Sequence, residues 1–303
     1  MKQNSTEKTL YRYIDLFEKR LQHNKSKYTV VNYISDLNQF VTYLQDNNIS
    51  YNLDKFDKDQ FLDYIDYLKS KYAPATVNRK SISLNEFLTF LNRTGRLKKA
   101  PFIDGKELRE YLPSVPKKRV KSLNKSQLKA MVSSCDSPFE ECMIRVFYDT
   151  ACRVSEIVAM EWNRISIFED GTGSIVVFGK GKGGMTKERV VFLTKETVQC
   201  LQELRKEQGG QFEFVFTSER TKKPISTRRA SQIVEKIAGK CGIENVSSHV
   251  FRKSKATSLL DKGMDITKVS KYLGHSSLQT TMNSYIDIDG KMKSEYEKYS
   301  EGI

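Results

Sequence analysis

Ser174-Ile175-Val176-Val177-Phe178 and Arg189-Val190-Val191-Phe192-Leu193 are two runs of β-branched and aromatic residues. They are joined by Gly179-Lys180-Gly181-Lys182-Gly183-Gly184-Met185-Thr186-Lys187. Such side chains suit a pleated, half-buried surface, and glycines admit the backbone angles of a turn, so the stretch predicts a β-hairpin with a long basic tip. Most of the rest of the chain has the period of a helix. The expected fold is therefore mainly α with a small β-hairpin or sheet.

Working outward from the hairpin, the N-terminal side holds four amphipathic patterns. Leu10, Tyr13, Ile14, Phe17 and Leu21 mark an opening helix, and Val30, Tyr33, Leu37, Phe40 and Leu44 a second. Phe61, Tyr64, Ile65 and Leu68 form one face of a third, and Val77, Leu84, Phe87 and Leu91 of a fourth. Spacings of three and four residues place each set on one helical stripe. Asp46-Asn47-Asn48 and Ala73-Pro74 break the pattern, so a four-helix bundle ending near residue 95 is expected. Leu112-Pro113-Ser114-Val115-Pro116-Lys117-Lys118-Arg119 disfavours helix and reads as a linker. Beyond it, Asn124 with Gln127 three residues on predicts a capped helix start, and helical patterns continue to about Trp162. Gln211 to Phe216 reads as a further short strand, and helices dominate again from Ser226. The expected organisation is a helical domain over 1–112, a linker over 113–119 and a mixed α/β domain over 120–303.

Composition narrows the chemistry. The 303 residues carry 51 Lys and Arg against 37 Asp and Glu, a formal charge of +14. The excess is shared: residues 1–120 hold 22 basic and 14 acidic side chains, residues 121–303 hold 29 and 23. Two basic segments point to a polyanion that both touch, nucleic acid first among the candidates. No apolar run approaches the ~18–20 residues a membrane span needs. Met1 to Leu10 lacks the apolar stretch of a secretory signal, so a cytoplasmic protein is expected. Five cysteines without CxxC spacing and three histidines suggest neither a disulfide framework nor a metal centre. No GxxxxGK[ST] phosphate loop occurs. The expectation is chemistry with reduced thiols, no metal and no cofactor.

Four short segments can carry that chemistry. Arg153 lies in Thr150-Ala151-Cys152-Arg153-Val154-Ser155-Glu156. Taken alone, Arg153 and Glu156 could be a surface i,i+3 ion pair, worth a few tenths of a kcal/mol. The hairpin tip could be a solvated loop or a mobile cation that meets a phosphate. His249 and Arg252 sit three apart at a helix start, one suited to proton transfer and the other to gripping phosphate oxygens. His275 follows Gly274, a helix-ending glycine, and Tyr285 lies ten residues later in Thr280-Thr281-Met282-Asn283-Ser284-Tyr285.

The order TxxRxSE, GKG hairpin, HxxR, LGH and TTxxxY resembles the tyrosine recombinase, or phage integrase, family over nearly the whole chain. The resemblance implies a two-domain fold, a helical core-DNA-binding bundle followed by a catalytic domain, and the following roles. Tyr285 is the nucleophile that forms a 3′-phosphotyrosyl bond to DNA and frees a 5′-hydroxyl. Arg153 and Arg252 grip the scissile phosphate, and Lys180 protonates the leaving oxygen. His249 assists the tyrosine, His275 donates to a nonbridging oxygen, and Glu156 is a supporting acid. The chain departs from the family's usual form at Ala151-Cys152, where Gly-Leu is common, and at Lys253, where His is common. Its hairpin tip is also longer than the common GKGxKxR, which leaves Lys182 and Lys187 as alternatives to Lys180.

The resemblance further suggests DNA contacts from Lys25, Lys27, Arg79, Lys80, Arg228 and Arg229, in a clamp around double-stranded DNA carrying an inverted-repeat core site. Met292, Tyr296 and Tyr299 form a narrow apolar face that packs either on its own domain or on a neighbour in a DNA-bound tetramer. About nine residues precede the first helix pattern, so no separate arm-binding domain is expected. Integration, excision or resolution of a mobile element is the leading role. A chromosome-dimer-resolving enzyme of the Xer type, a type IB topoisomerase and a catalytically silent DNA-binding protein are the competitors.

Overall fold

The computed structural model describes residues 2–102, 105–116, 122–180, 186–275, 277–278 and 281. The chain divides into two compact units, Met1–Lys118 and Arg119–Ile303.

The first unit is helical. Helices α1 (Lys2–Asn24), α2 (Lys27–Asp46), α3 (Lys58–Lys71) and α4 (Pro74–Arg93) follow the four apolar stripes. Ser26 and Asp57 cap α2 and α3 by accepting from the backbone N–H of Thr29 and Gln60, and Pro74 opens α4 where no intrahelical N–H bond is needed. Phe17, Phe40, Phe61 and Phe87 are fully buried together, Phe17 and Phe87 with ring centroids 5.4 Å apart. Each such side chain contributes ~1.5–3 kcal/mol by leaving water. The bundle does not end near residue 95. Leu97, Ala100, Phe102 and Leu108 join its core, and a fifth helix, α5 (Gly105–Tyr111), carries Leu108. Seven residues with one buried apolar position are too short to show a period.

One sequence expectation is reversed here. Lys80, expected among the surface cations that contact DNA, is only 8% exposed. Its Nζ donates to Asp36 Oδ1 at 3.0 Å and to Gln39 Oε1, and it lies over the Tyr72 ring. Asp36 is itself buried and also accepts from Arg79 and from Ser83 Oγ at 3.0 Å. A buried carboxylate needs a buried partner, which draws Lys80 inward and leaves Arg79 half-exposed at the edge of the network.

The second unit places helices around a three-stranded sheet. An Asn124–Gln127 capping box opens α6 (Lys125–Ser133). Next come α7 (Pro138–Thr150), α8 (Val154–Val158), β1 (Ile165–Ile167), β2 (Gly173–Lys180) and β3 (Thr186–Leu193). After them come α9 (Lys195–Glu207), α10 (Thr227–Lys240), α11 (Ser248–Asp261) and α12 (Ile266–Leu273). The sheet is antiparallel in the order β1-β2-β3, with Ile175 opposite Val191 and Lys180 opposite Thr186. Ile175, Val177, Val191 and Leu193 face the core, while Val190 and Phe192 face outward.

Strand β1 was not legible in three residues. Gln211–Phe216 is no strand: Phe214 makes a single bridge to Glu161 before the chain turns away. The helical run expected up to Trp162 is interrupted at Ala151–Arg153, and that interruption builds the site. Among the described residues, no helix is long and apolar enough to cross a membrane.

Candidate active site

Helix α7 ends on Ala151, which adopts the left-handed conformation at φ 50° and is fully buried. A side chain there costs roughly 1–2 kcal/mol, which locates the strain that glycine, common at this position in the family, would avoid. The turn reverses the chain so that Arg153 becomes the N-cap of α8 instead of a mid-helix residue. Its backbone N–H donates to Glu156 Oε2 at 2.8 Å and its Nη1 to Glu156 Oε1 at 3.0 Å. The pair is not a surface pair. Glu156 is 5% exposed.

Glu156 has a second partner that sequence reasoning missed. Arg189, on β3, donates from Nη2 to Oε2 at 2.7 Å and from Nη1 to Oε1 at 3.1 Å. Its Nε donates to the carbonyl of Tyr272 at 3.1 Å, and Nη2 reaches Cys152 Sγ at 3.4 Å. Burial works to raise the Glu156 pKa, but the Arg189 hydrogen bonds and charge, with Arg153, hold it below the ordinary carboxylate range. Burial also pushes the Cys152 thiol up to about 12, so it acts as a neutral packing group. A signal for Arg189 was present: it stands where the GKGxKxR form ends in Arg.

Helix α11 begins at Ser248, so His249 is exposed in its first turn while Arg252, one turn on, is 3% exposed. Arg252 Nη1 donates to the Ala151 carbonyl at 2.8 Å and Nη2 to that of Leu273. Its guanidinium thus joins the end of α7 to the end of α12. Phe147 and Phe251 stack between α7 and α11 at 5.6 Å. Asp149 adds a further tie. Its Oδ2 accepts from Thr194 N–H, Thr194 Oγ1 and Thr197 Oγ1 at 2.9, 2.7 and 2.6 Å, while its carbonyl accepts from Tyr272 OH at 2.6 Å.

Helix α12 ends on Gly274 at φ 68°. A Cβ there would lie 3.1 Å from Arg189 Cδ and 3.2 Å from Nη1, so the left-handed backbone favours glycine and a side chain would also press on Arg189. The reversal brings in His275, whose Nδ1 lies 2.7 Å from Thr281 Oγ1. Burial, then the charges of Arg252, Arg153 and Arg189, holds its pKa down to about 4. The imidazole is therefore neutral at neutral pH.

This shift has a testable sign. The unfolded ring takes its proton near pH 6.5 and the folded ring only near 4, so acidification across that window favours the unfolded chain. We expect the melting temperature of the wild type to fall between pH 6.5 and 4 more steeply than that of His275→Asn, as measured by parallel thermal scans. Parallel curves for the two proteins would contradict the depressed value.

The structure thus brings Arg153, Arg189, Arg252, Glu156 and His275 to one locus, where Arg153 and Arg189 share the buried Glu156 carboxylate and Arg252 is held by two backbone carbonyls. Surplus positive charge held on fixed, hydrogen-bonded side chains is what a phosphoryl group gathering negative charge in a transition state requires. Lys182, Tyr285 and the tail residues Met292, Tyr296 and Tyr299 lie outside the described residues, as do the side chains of Lys180 and Lys187. In the helical unit, Lys25 is 3.7 Å from Glu86 and Lys27 is exposed at the start of α2. Arg228 and Arg229 are exposed in the first turn of α10.

A helical unit, a second unit with a small antiparallel sheet, and an arginine-rich phosphate-type site together define the class, and the sequence profiles agree. The phage integrase family profile matches residues 118–292, and that of the phage integrase N-terminal SAM-like domain matches residues 14–95. The chain belongs to the phage integrase family and is a tyrosine-type site-specific recombinase. It is 29% identical to tyrosine recombinase XerC of Pediococcus pentosaceus, over 94% of this chain and 97% of that one. It is 26% identical to transposase A from transposon Tn554 of Staphylococcus aureus, over 77% and 73%. The fold is similar to that of the XerH site-specific recombinase bound to difH substrate in a pre-cleavage complex. That match has a TM-score of 0.72 and 19% identity, covering 98% of this chain and 97% of the other.

Proposed function

We propose that this recombinase integrates, excises or resolves a mobile element, cutting and rejoining double-stranded DNA through a 3′-phosphotyrosyl bond to Tyr285. The convergence of Arg153, Arg252 and His275 on one locus, braced by the Glu156–Arg189 pair, carries the catalytic part of this reading. Arg153 and Arg252 hold the scissile phosphate, His249 accepts the tyrosine proton, His275 donates to a nonbridging oxygen and Lys180 protonates the leaving 5′-oxygen. The ester is conserved in the protein–DNA bond, so rejoining draws on no external energy source.

Residues 1–112 and 120–303 act as two DNA-binding domains on either side of the 113–119 linker. Lys25, Lys27, Arg79, Arg228 and Arg229 contact backbone phosphates, and each contact adds about 0.9 to the salt slope of binding. The tail with Met292, Tyr296 and Tyr299 docks on a neighbouring protomer in a tetramer assembled on an inverted-repeat site. The protein works in the cytoplasm.

The transposase among the relatives favours a mobile-element role. Near full-length similarity to XerC supports a second reading, chromosome-dimer resolution. DNA flanking the gene supplies the candidate inverted repeats. A nicked suicide substrate made from them is expected to trap covalent protein, and a two-site plasmid to give recombinant products. Plasmid relaxation without exchange would indicate a topoisomerase, and binding without covalent trapping a silent DNA-binding protein.

The leaving-group assignment has its own test. Lys180→Ala is expected to slow cleavage of ordinary DNA. A 5′-bridging phosphorothioate, whose thiolate leaves without protonation, is expected to restore Lys180→Ala far more than Arg153→Ala. Rescue confined to Lys182→Ala or Lys187→Ala would move the role along the hairpin.

A further inference from the structure

We propose that Thr281 is a positioning residue that selects the tautomer of His275, so that the ring presents an N–H from Nε2 to the scissile phosphate. This rests on the assignment of His275 as donor to a nonbridging oxygen.

The geometry is specific. Thr281 is fully buried and its Oγ1 lies 2.7 Å from His275 Nδ1. The ring's attachment is fixed as well, because the His275 backbone N–H donates to the Ser270 carbonyl at 3.1 Å and Gly274 sets the turn before it. Surrounded by Arg153, Arg189 and Arg252, the imidazole is neutral and carries one N–H. A phosphate oxygen has lone pairs and no hydrogen to offer. A ring with its hydrogen on Nδ1 would donate to Thr281 and turn the Nε2 lone pair towards the anion, which is repulsive. Only the opposite arrangement serves the reaction: the Thr281 hydroxyl donates to Nδ1, and the hydrogen resides on Nε2. A buried hydroxyl cannot exchange this partner for bulk water, so the choice is built into the packing. No proton is gained or lost in this step. Thr281 decides which nitrogen holds the one that is present.

The test is the nitrogen spectrum of His275 in protein labelled with 15N-histidine, read on the non-cleaving Tyr285→Phe protein bound to a DNA half-site. The expected result is a protonated Nε2 and an unprotonated, hydrogen-bonded Nδ1. Thr281→Val keeps the shape and removes the hydroxyl, and a mixed tautomer population is expected there. In the otherwise wild-type enzyme, single-turnover cleavage by Thr281→Val should fall about tenfold, the scale of one lost hydrogen bond. Thr281→Ser should recover most of the rate and the Nε2–H signature. Thermal unfolding of the Val variant separates tautomer loss from a folding defect, and the wild-type ring assignment needs no Thr281 substitution. A ring protonated on Nδ1 in the complex overturns the proposal, as does a Val variant with unchanged tautomer and rate. Wild-type cleavage by His275→Ala would instead remove the donor assignment itself, and the proposal with it.

Discussion

Tyr285→Phe is expected to eliminate the covalent protein–DNA complex while DNA affinity stays at the wild-type level. The substitution removes one oxygen and keeps the aromatic ring. An unperturbed phenol with a pKa near 10 is ionised in about one molecule in 10³ at neutral pH. Guanidiniums near a phenol favour the phenolate, and the clustered Arg153, Arg189 and Arg252 form the field a nucleophile entering this locus would meet. Loss of a covalent nucleophile costs on the order of 10⁴-fold or more in rate. Denaturing gels of a suicide-substrate reaction read the adduct directly, and gel shifts read affinity. An adduct that persists in the Phe variant would assign the nucleophile to another residue.

Arg252 supplies the second large effect, and here chemistry and architecture are joined. Arg252→Ala removes the guanidinium proposed to grip the scissile phosphate and leaves the Ala151 and Leu273 carbonyls without its two hydrogen bonds. An unsatisfied buried carbonyl costs ~1–3 kcal/mol, so the melting temperature should fall. Cleavage should fall by ~10²–10³-fold, the scale for one preorganised donor at a developing charge. Arg252→Lys separates the two contributions. Lysine retains the charge but has no planar fork, so it cannot hold both carbonyls in the same geometry. Cleavage by the Lys variant should remain well below wild type under conditions where thermal scans show it folded. Wild-type cleavage by Arg252→Lys would reduce the guanidinium's role to charge alone.

Those two experiments probe what was readable at very different levels. The apolar stripes of α1 to α4 and the β-branched runs of the hairpin were legible because helix and strand periods are local properties of the chain. The Asn124–Gln127 capping box was legible for the same reason: both partners lie within one turn. The ordered motifs located Arg153, Arg252 and His275, which the fold then gathers around Glu156 and Arg189.

Burial and partnership across distant segments were not legible. Lys80 has the composition of a surface residue, and only Asp36, 44 residues earlier, makes it an interior one. Glu156 looked like the partner of Arg153 alone until β3 brought Arg189 to it from 33 residues away. Asp149 gave no sign that it would join α7 to Thr194, Thr197 and Tyr272. The interruption at Ala151 was invisible because an alanine rarely adopts positive φ, and it does so here with Arg252 held to its carbonyl. The sequence by itself determined the long helices α1 to α4, the hairpin, the family and the identity of the charged groups, since propensity, period and motif order act over a few residues. The tertiary structure decided which charges are buried, which pair and how the site is braced. Desolvation and hydrogen-bond geometry depend on neighbours that only the folded chain brings together.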